Sequence, residues 1–403
     1  MGPIVGASTY LALLGIAIAA ATVAARFARI PYTVGLVVAG LAIGLWSRHP
    51  AMELTPDLVM FVFLPSLLFA AAWEMDLRQL ARFWIPIALL ATVGVVAGIG
   101  ISYALLAFGA GIDPHVALVF GVLVAATDPV AVIALFREMR VDRGLAIIVE
   151  GESLFNDGVA VVAYRALVLS ATATGGAIAF SPMEAAQAFF VLTAGGALVG
   201  VMAGVAALFL RAADNAALDV AVTAVVAYGS YIVAEQLHLS GIVAVIAAGL
   251  TCSLVRSAAG STEKAKATID RFWEGTAFLA NSVLFVLIGL SIDLTSLVQV
   301  GSAAVWGIAA VLVARAFAVY ALAPLSGLAG RTLSTAWQHV IALGGLRGAL
   351  SMALALSVPE YFHFRAQLIA MVYSVVLFTL VVQGLALRPA IAALAPARRE
   401  QTG

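Results

Sequence analysis

Residues 115–136 read HVALVFGVLVAATDPVAVIALF, an apolar run of membrane-crossing length with Thr127, Asp128 and Pro129 near its middle. A span needs about 20 mostly apolar residues. Proline removes a backbone donor and disfavours helical geometry at the residue before it. The stretch therefore reads as a transmembrane segment interrupted at Asp128. Non-helical backbone at that depth is tolerated only within protein or beside a polar cavity, so the break predicts one or the other.

The rest of the chain has the same solvent. Of 403 residues, 64% are hydrophobic and 10% charged, against roughly a quarter charged in a typical soluble domain. Apolar runs recur at approximately 4–25, 31–47, 56–73, 83–110, 115–136, 144–171, 184–210, 216–236, 239–255, 272–292, 298–325, 333–358 and 366–387. The predicted fold is thus an all-α polytopic membrane protein of about thirteen transmembrane helices. It forms a single membrane domain with a short cytoplasmic tail, 388–403. The largest gap, 256–271, is a basic and small-residue loop. The apolar pattern begins almost at Met1, with no Lys or Arg before Arg26, so the first segment reads as a retained helix and not a secretory signal.

Net charge is zero, but position carries information. With the N-terminus outside, the cytoplasmic gaps hold Arg26, Arg29, Arg78, Arg82, Arg137, Arg140, Arg143, Arg211, Arg256, Lys264, Lys266, Arg271 and Arg331, and the tail adds Arg388, Arg398 and Arg399. The opposite gaps hold only Arg48 and Arg365. The positive-inside rule selects this orientation, with a cytoplasmic C-terminus, in what is expected to be a prokaryotic inner membrane. Arg165, Arg315 and Arg347 fall inside spans and need partners. The single cysteine, Cys252, excludes an intramolecular disulfide and reads as a packing residue.

Thirteen spans divide into six, a linker and six: repeat one approximately 4–171, the linker span 184–210, and repeat two approximately 216–387. The halves would then be inverted, as in many transporters, and spans five and twelve become equivalent. Span five carries Thr127-Asp128-Pro129; span twelve carries Gly344, Gly345 and Gly348 around Arg347. Two interruptions at matched places, each with an ionisable residue, point to a midplane site where broken helices cross.

An ionised carboxylate at the bilayer centre costs about 2.5–3.5 kcal/mol on insertion scales, which function usually has to justify. Span five supplies Asp128, and span six supplies Glu150, Glu152 and Asp157 within VEGESLFNDGVAVV, residues 149–162. On a helix, Glu150, Ser153 and Asp157 share one face while Glu152 and Asn156 share its neighbour, so one stripe can line a cavity and the other meet protein. A small hard cation prefers oxygen ligands, which Asp128, Asp157, Ser153, Asn156 and the Thr127 carbonyl can supply. Burial and a neighbouring like charge both favour the neutral acid, so the same carboxylates can hold a proton when no cation is bound. Competition between the two loadings gives coupled exchange under alternating access. Glu152 reads as a structural ion pair with Arg347, because a buried guanidinium requires a carboxylate. Glu150 is either a solvated end residue or a cation funnel. Ser153 and Asn156 also fit plain interhelical hydrogen bonding.

At these motifs the chain resembles the monovalent cation:proton antiporters of the NhaP/NHE type, the first cation–proton antiporter family. Matching stretches span nearly the whole length: IPYTVGLVVAGLAIG (30–44), FLPSLLF (63–69), ATDPVAV (126–132), EGESLFNDGVAVV (150–162), LHLSGIVAVIAAGL (237–250), NSVLFVLIGL (281–290), RAFAVY (315–320) and GGLRGALSMALALSVP (344–359). The resemblance implies that Asp128 and Asp157 carry Na⁺ and proton, with Ser153 and Thr127 as further Na⁺ ligands and Asn156 orienting Asp157. It also implies electroneutral one-for-one exchange, a Glu152–Arg347 salt bridge, and a homodimer whose core domain moves against a dimerisation domain. One departure stands out: many relatives follow the FLP..LLF motif with a glutamate, and this chain has Ala70 there, with Glu74 one turn on as a membrane-end residue.

The expected activity is therefore Na⁺/H⁺ exchange, with Li⁺ or K⁺ as alternative ions. A cation channel would favour rings of acids or carbonyl filters about a symmetry axis, where this chain has one asymmetric cluster. An intramembrane metalloprotease would need a motif such as HExxH, which does not occur. Lipid, a second copy of the chain and the cation are the expected partners, with no nucleic acid and no cofactor beyond the transported Na⁺ and H⁺. Arg165 has no role by resemblance.

Overall fold

The computed structural model describes residues 31–46, 54–173, 182–210, 216–258, 263–329 and 333–394, with Gly15, Ile18, Ala19 and Thr22 ahead of them. Of the first predicted span only those four residues are described, and Arg26 and Arg29 lie outside the described residues, as do Arg48, Arg211, Arg331, Arg398 and Arg399. The other twelve spans all appear as helical segments. In chain order they are α1 (Tyr32–Trp46), α2 (Leu58–Glu74), α3 (Trp84–Gly109), α4 (Pro114–Leu123) with α5 (Val130–Met139), α6 (Arg143–Ala173), α7 (Pro182–Leu210) and α8 (Ala216–Gln236). There follow α9 (Gly241–Ala258), α10 (Glu263–Leu290), α11 (Leu294–Leu322), α12 (Thr335–Leu343) with α13 (Ala349–Leu356), and α14 (Arg365–Leu394). The last helix runs seven residues into the predicted tail, and Arg388 on it pairs with Glu138.

Among the described residues, α3, α8, α11 and α14, with the apolar stretches Ala186–Ala207 of α7 and Lys266–Leu290 of α10, are long and apolar enough to cross a membrane by length and composition. The helices that miss that standard include those that carry the polar cluster. Each half of the two interrupted spans is too short, and α6 contains Glu150, Glu152, Asp157 and Arg165. Large apolar side chains elsewhere face outward, Trp46, Phe108 and Phe209 among them, as lipid-facing surfaces require.

The helices pack in two groups. In one, α1 lies along α10, α9 lies against α2 and α7, and α8 joins α9; in the other, α3 packs on α4 and α11, and α14 on α11 and α13. Small residues set the separations. Lipid gives helices no hydrophobic drive to associate, so close backbone approach and van der Waals contact do that work. A methyl group at Gly40 would meet the Val286 carbonyl, and one at Gly289 would meet the Val37 carbonyl, so α1 and α10 interlock reciprocally. Gly200 sits likewise against the Ala244 carbonyl between α7 and α9. Cys252 is buried in the α9 face beside the Gly204 carbonyl, where a small residue fits.

Both predicted interruptions are present. Between α4 and α5 the chain is non-helical over 124–129, and between α12 and α13 over 344–348. The two unwound segments meet: the Asp128 N–H donates to the Leu346 carbonyl at 2.8 Å. Gly348 lies so close to the Asp128 carboxylate that any side chain there would displace it.

The interlock at Gly40 generates a prediction. Gly40→Val should lower the yield of monodisperse detergent-extracted protein and its Tm, consistent with overpacking costs of about 1–3 kcal/mol, whereas Gly98→Val, which meets nothing within 4 Å, should leave both unchanged.

Candidate functional site

The site is built where α6 passes the first break. Ser153 donates to the Thr127 carbonyl in a very short contact. Asn156 uses both ends of its amide on the same residue: Nδ2 donates to Thr127 Oγ1 at 2.7 Å, and Oδ1 accepts the Thr127 N–H at 3.3 Å. Its other Nδ2 hydrogen goes to Glu152 Oε1 at 2.8 Å. Thr127 is thereby clamped to α6 through backbone and side chain together. Asp128 follows it, accepting the Val130 N–H at 3.0 Å, so one carboxylate oxygen caps the start of α5.

A cavity of about 460 Å³ opens onto this arrangement. Its inner wall carries Thr127, Asp128, Ser153 and Asp157; Glu150, Glu74 and Glu274 also line it, with Arg137. The opposite wall is formed by residues of α1, α2 and α10, so the cavity lies between the two groups of helices. The two stripes of α6 separate as their spacing predicts: Glu150, Ser153 and Asp157 line the cavity, while Glu152 and Asn156 are buried in protein. Asp157 Oδ1 is buried and accepts no hydrogen bond among the described residues. A bare buried carboxylate oxygen is costly, and either a cation or a proton would satisfy it.

The structure corrects the ion pair. Glu152 is held by Arg315, not Arg347, through two parallel hydrogen bonds of 2.9 Å each, the fork geometry that suits guanidinium to carboxylate. Arg315 comes from α11 and also donates to the Ile341 carbonyl at 3.1 Å. Gly345 leaves it room, since a methyl there would lie 2.5 Å from its Nε. Arg347 is used otherwise. Its Nη1 donates to the carbonyls of Ala125 and Ala126 at 2.9 Å each, groups that the first break has freed. Its own N–H is taken by Thr379 Oγ1 at 3.1 Å. Arg347 is thus a buried cation bonded to carbonyls and to no carboxylate among the described residues.

Two further expectations change. Asn156 does not reach into the cavity or bond to Asp157; its amide is spent on Thr127 and Glu152, because i and i+4 place it over Glu152 on the stripe away from Asp157. Glu74 is more than an end residue. It lines the cavity with Ala70, and pairs with Arg137 at 3.1 Å. Of the two readings of Glu150, its side chain belongs to the cavity. Arg165 finds its partner in Glu235, and donates to the Leu239 carbonyl at 3.0 Å, tying α6 to the α8–α9 turn. Arg165 and Arg315 are the two residues to which the sequence assigned no role. The signal was present, since each is an arginine inside a span that needs a partner.

The chain matches known proteins over most of its length. A family model described as "Sodium/hydrogen exchanger, transmembrane" matches residues 12–393. The Na⁺/H⁺ antiporter ApNhaP of Aphanothece halophytica is 39% identical over 389 residues, covering 95% of this chain and 74% of that protein. The Na⁺/H⁺ antiporter NhaH of Halobacillus aidingensis is 36% identical, covering 94% and 96%. Among solved structures, the sodium proton antiporter MjNhaP1 from Methanocaldococcus jannaschii at pH 8 aligns with a TM-score of 0.73 at 21% identity, covering 98% of this chain and all of that one. That likeness is one of fold.

The corrected pairing is testable by a double-mutant cycle. Glu152→Gln or Arg315→Gln alone should destabilise the folded protein by about 3–5 kcal/mol, the cost of stranding one buried charge. The double variant should recover much of that loss in thermal unfolding, whereas Glu152→Gln with Arg347→Gln should recover none.

Proposed function

Because this chain belongs to the sodium/hydrogen exchanger family, we propose that it trades one proton for one Na⁺ at Asp128 and Asp157 as the site turns from one side of the membrane to the other. The chain is a transporter and an integral membrane protein. Asp157, Asp128, Ser153 and the Thr127 carbonyl are the ligands, and the observation that supports the reading is that all four residues line one cavity.

The surrounding charges support a one-for-one ratio. Glu152 and Arg315 cancel each other. Arg347 contributes one positive charge with no carboxylate partner among the described residues, against the two aspartates. With both aspartates ionised and nothing bound, the buried cluster carries one negative charge. One Na⁺ or one proton brings it to zero. Carrying a net charge through a low-dielectric barrier is expensive, and a neutral cluster avoids that cost. Both loaded states can therefore change sides while the empty state is held back, and that asymmetry couples the two fluxes. Asn156 acts by fixing Thr127, and Glu152 by anchoring Arg315.

The charged lining supports a cytoplasmic-facing conformation. Glu74, Arg137 and Glu150 line the cavity, and Arg137 and Arg143 flank gaps that the positive-inside rule assigns to the cytoplasm. The acids there raise the local cation concentration. The seam between the two helix groups is where one would move against the other, in a homodimer set in lipid of a prokaryotic inner membrane, with no cofactor and no nucleic acid. Na⁺ is the proposed ion, as in the names of the similar antiporters.

Everted vesicles carrying a pH dye supply the test. Na⁺ should dissipate a preset proton gradient, and Asp157→Asn should reduce this to background with protein levels unchanged. Full exchange by that variant would remove the carrier. Initial rates should also be the same with the membrane potential clamped at zero or at 100 mV, because no net charge moves; a cycle that moved one would feel about 2.3 kcal/mol per 100 mV.

A further inference from the structure

We propose that Ser351 is a ligand of the transported cation, contributed by the second half of the chain, so that both broken spans supply oxygen to the site. The inference rests on the antiport reading above. Ser351 is completely buried, lines the cavity that holds Asp128 and Asp157, and its Oγ has no hydrogen-bond partner among the described residues. A buried hydroxyl left without a partner is unfavourable, so its position requires explanation.

Other helical serines in this chain settle the same problem locally. Ser66 bonds to the Phe63 carbonyl at 2.8 Å, Ser230 to Ala227 at 3.2 Å, Ser282 to Phe278 at 2.7 Å and Ser374 to Ala370 at 2.8 Å. Each uses the acceptor three or four residues back, as hydroxyls in helices commonly do. Ser351 is the third residue of α13, so its corresponding acceptors belong to Gly348 and Arg347, in the unwound segment. The Gly348 carbonyl accepts the Met352 N–H at 3.4 Å and the Arg347 carbonyl precedes the helix, and neither takes the Ser351 hydroxyl. On the same cavity, Asp157 Oδ1 also lacks a partner among the described residues. These two buried oxygens, one from each half of the chain, suit a hard cation that prefers oxygen ligands. A hydroxyl adds ligation without adding charge, so it strengthens cation binding and leaves the one-for-one balance intact.

Na⁺-dependent exchange in everted vesicles, paired with Na⁺-induced stabilisation of purified protein in detergent, tests this. Ser351→Ala should raise half-saturating Na⁺ roughly tenfold, as for loss of one contact to a charged group. Its maximal rate should stay near that of the unsubstituted protein. It should also shrink the Na⁺-induced rise in Tm, with Tm in the absence of Na⁺ unchanged or higher. Ser351→Cys, which keeps the volume but offers a soft donor, should lose Na⁺ affinity similarly. Thr33→Val is the control, because Thr33 Oγ1 is likewise buried and unpartnered on this cavity but belongs to α1; it should leave half-saturation unchanged. An unchanged half-saturation in Ser351→Ala, an equal loss in Thr33→Val, or a lower Tm with a full Na⁺ response would overturn the assignment. If the unsubstituted protein showed neither exchange nor Na⁺ stabilisation, the antiport reading would fail instead.

Discussion

The hydrogen bond from the Asp128 N–H to the Leu346 carbonyl joins two stretches of backbone that have no helix to satisfy them at a depth where water is not the alternative. Everything around the site answers that constraint. Arg347 takes the freed carbonyls of Ala125 and Ala126, Thr379 takes the Arg347 N–H, and Gln383 donates to the Leu343 carbonyl where α12 ends. On the other side, Asn156 and Ser153 hold Thr127. The crossing is therefore a rigid polar knot surrounded by apolar helices. Rigidity there gives the aspartates fixed positions, and the glycines let backbone and side chains approach closely enough to form it.

Much of this was legible in the chain. Proline after Asp128 disfavours helix at one point, and the glycines around Arg347 weaken it at another, so both breaks follow from local chemistry. The periodicity of α6 divided its polar residues between cavity and protein, and the structure keeps that division. Partner choice was not legible. Three arginines lie within spans, and nothing in the spacing between Glu152, Arg315 and Arg347 says which one faces the carboxylate. That depends on how α11 packs against the crossing, a property of the assembled helices. The carbonyls of Ala125 and Ala126 also compete for Arg347, and a count of carboxylates alone overlooks them. Asn156 departs from expectation for a related reason, since adjacency to Asp157 in sequence puts the two on different stripes of the helix.

The division between Arg315 and Arg347 carries the functional argument. Had Arg347 neutralised Glu152, the positive charge left near the aspartates would have come from a residue on α11 outside the breaks. Instead it belongs to the crossing, bonded through the backbone of the very segment that presents Asp128. The fixed charge of Arg347 and the titratable one of Asp128 are thus tied together at the crossing, with Asp157 facing them from α6. A cluster short by one positive charge accepts either a cation or a proton, and this single deficit is enough to make the two compete.

Competition for one deficit is best measured as protons released when Na⁺ binds. Purified protein in weakly buffered detergent solution, titrated with Na⁺ from the proton-loaded state, should release close to one proton for each Na⁺ taken up, with the yield falling as the starting pH is raised and the site begins empty. Saturable Na⁺ binding with no proton release at any starting pH would contradict the account.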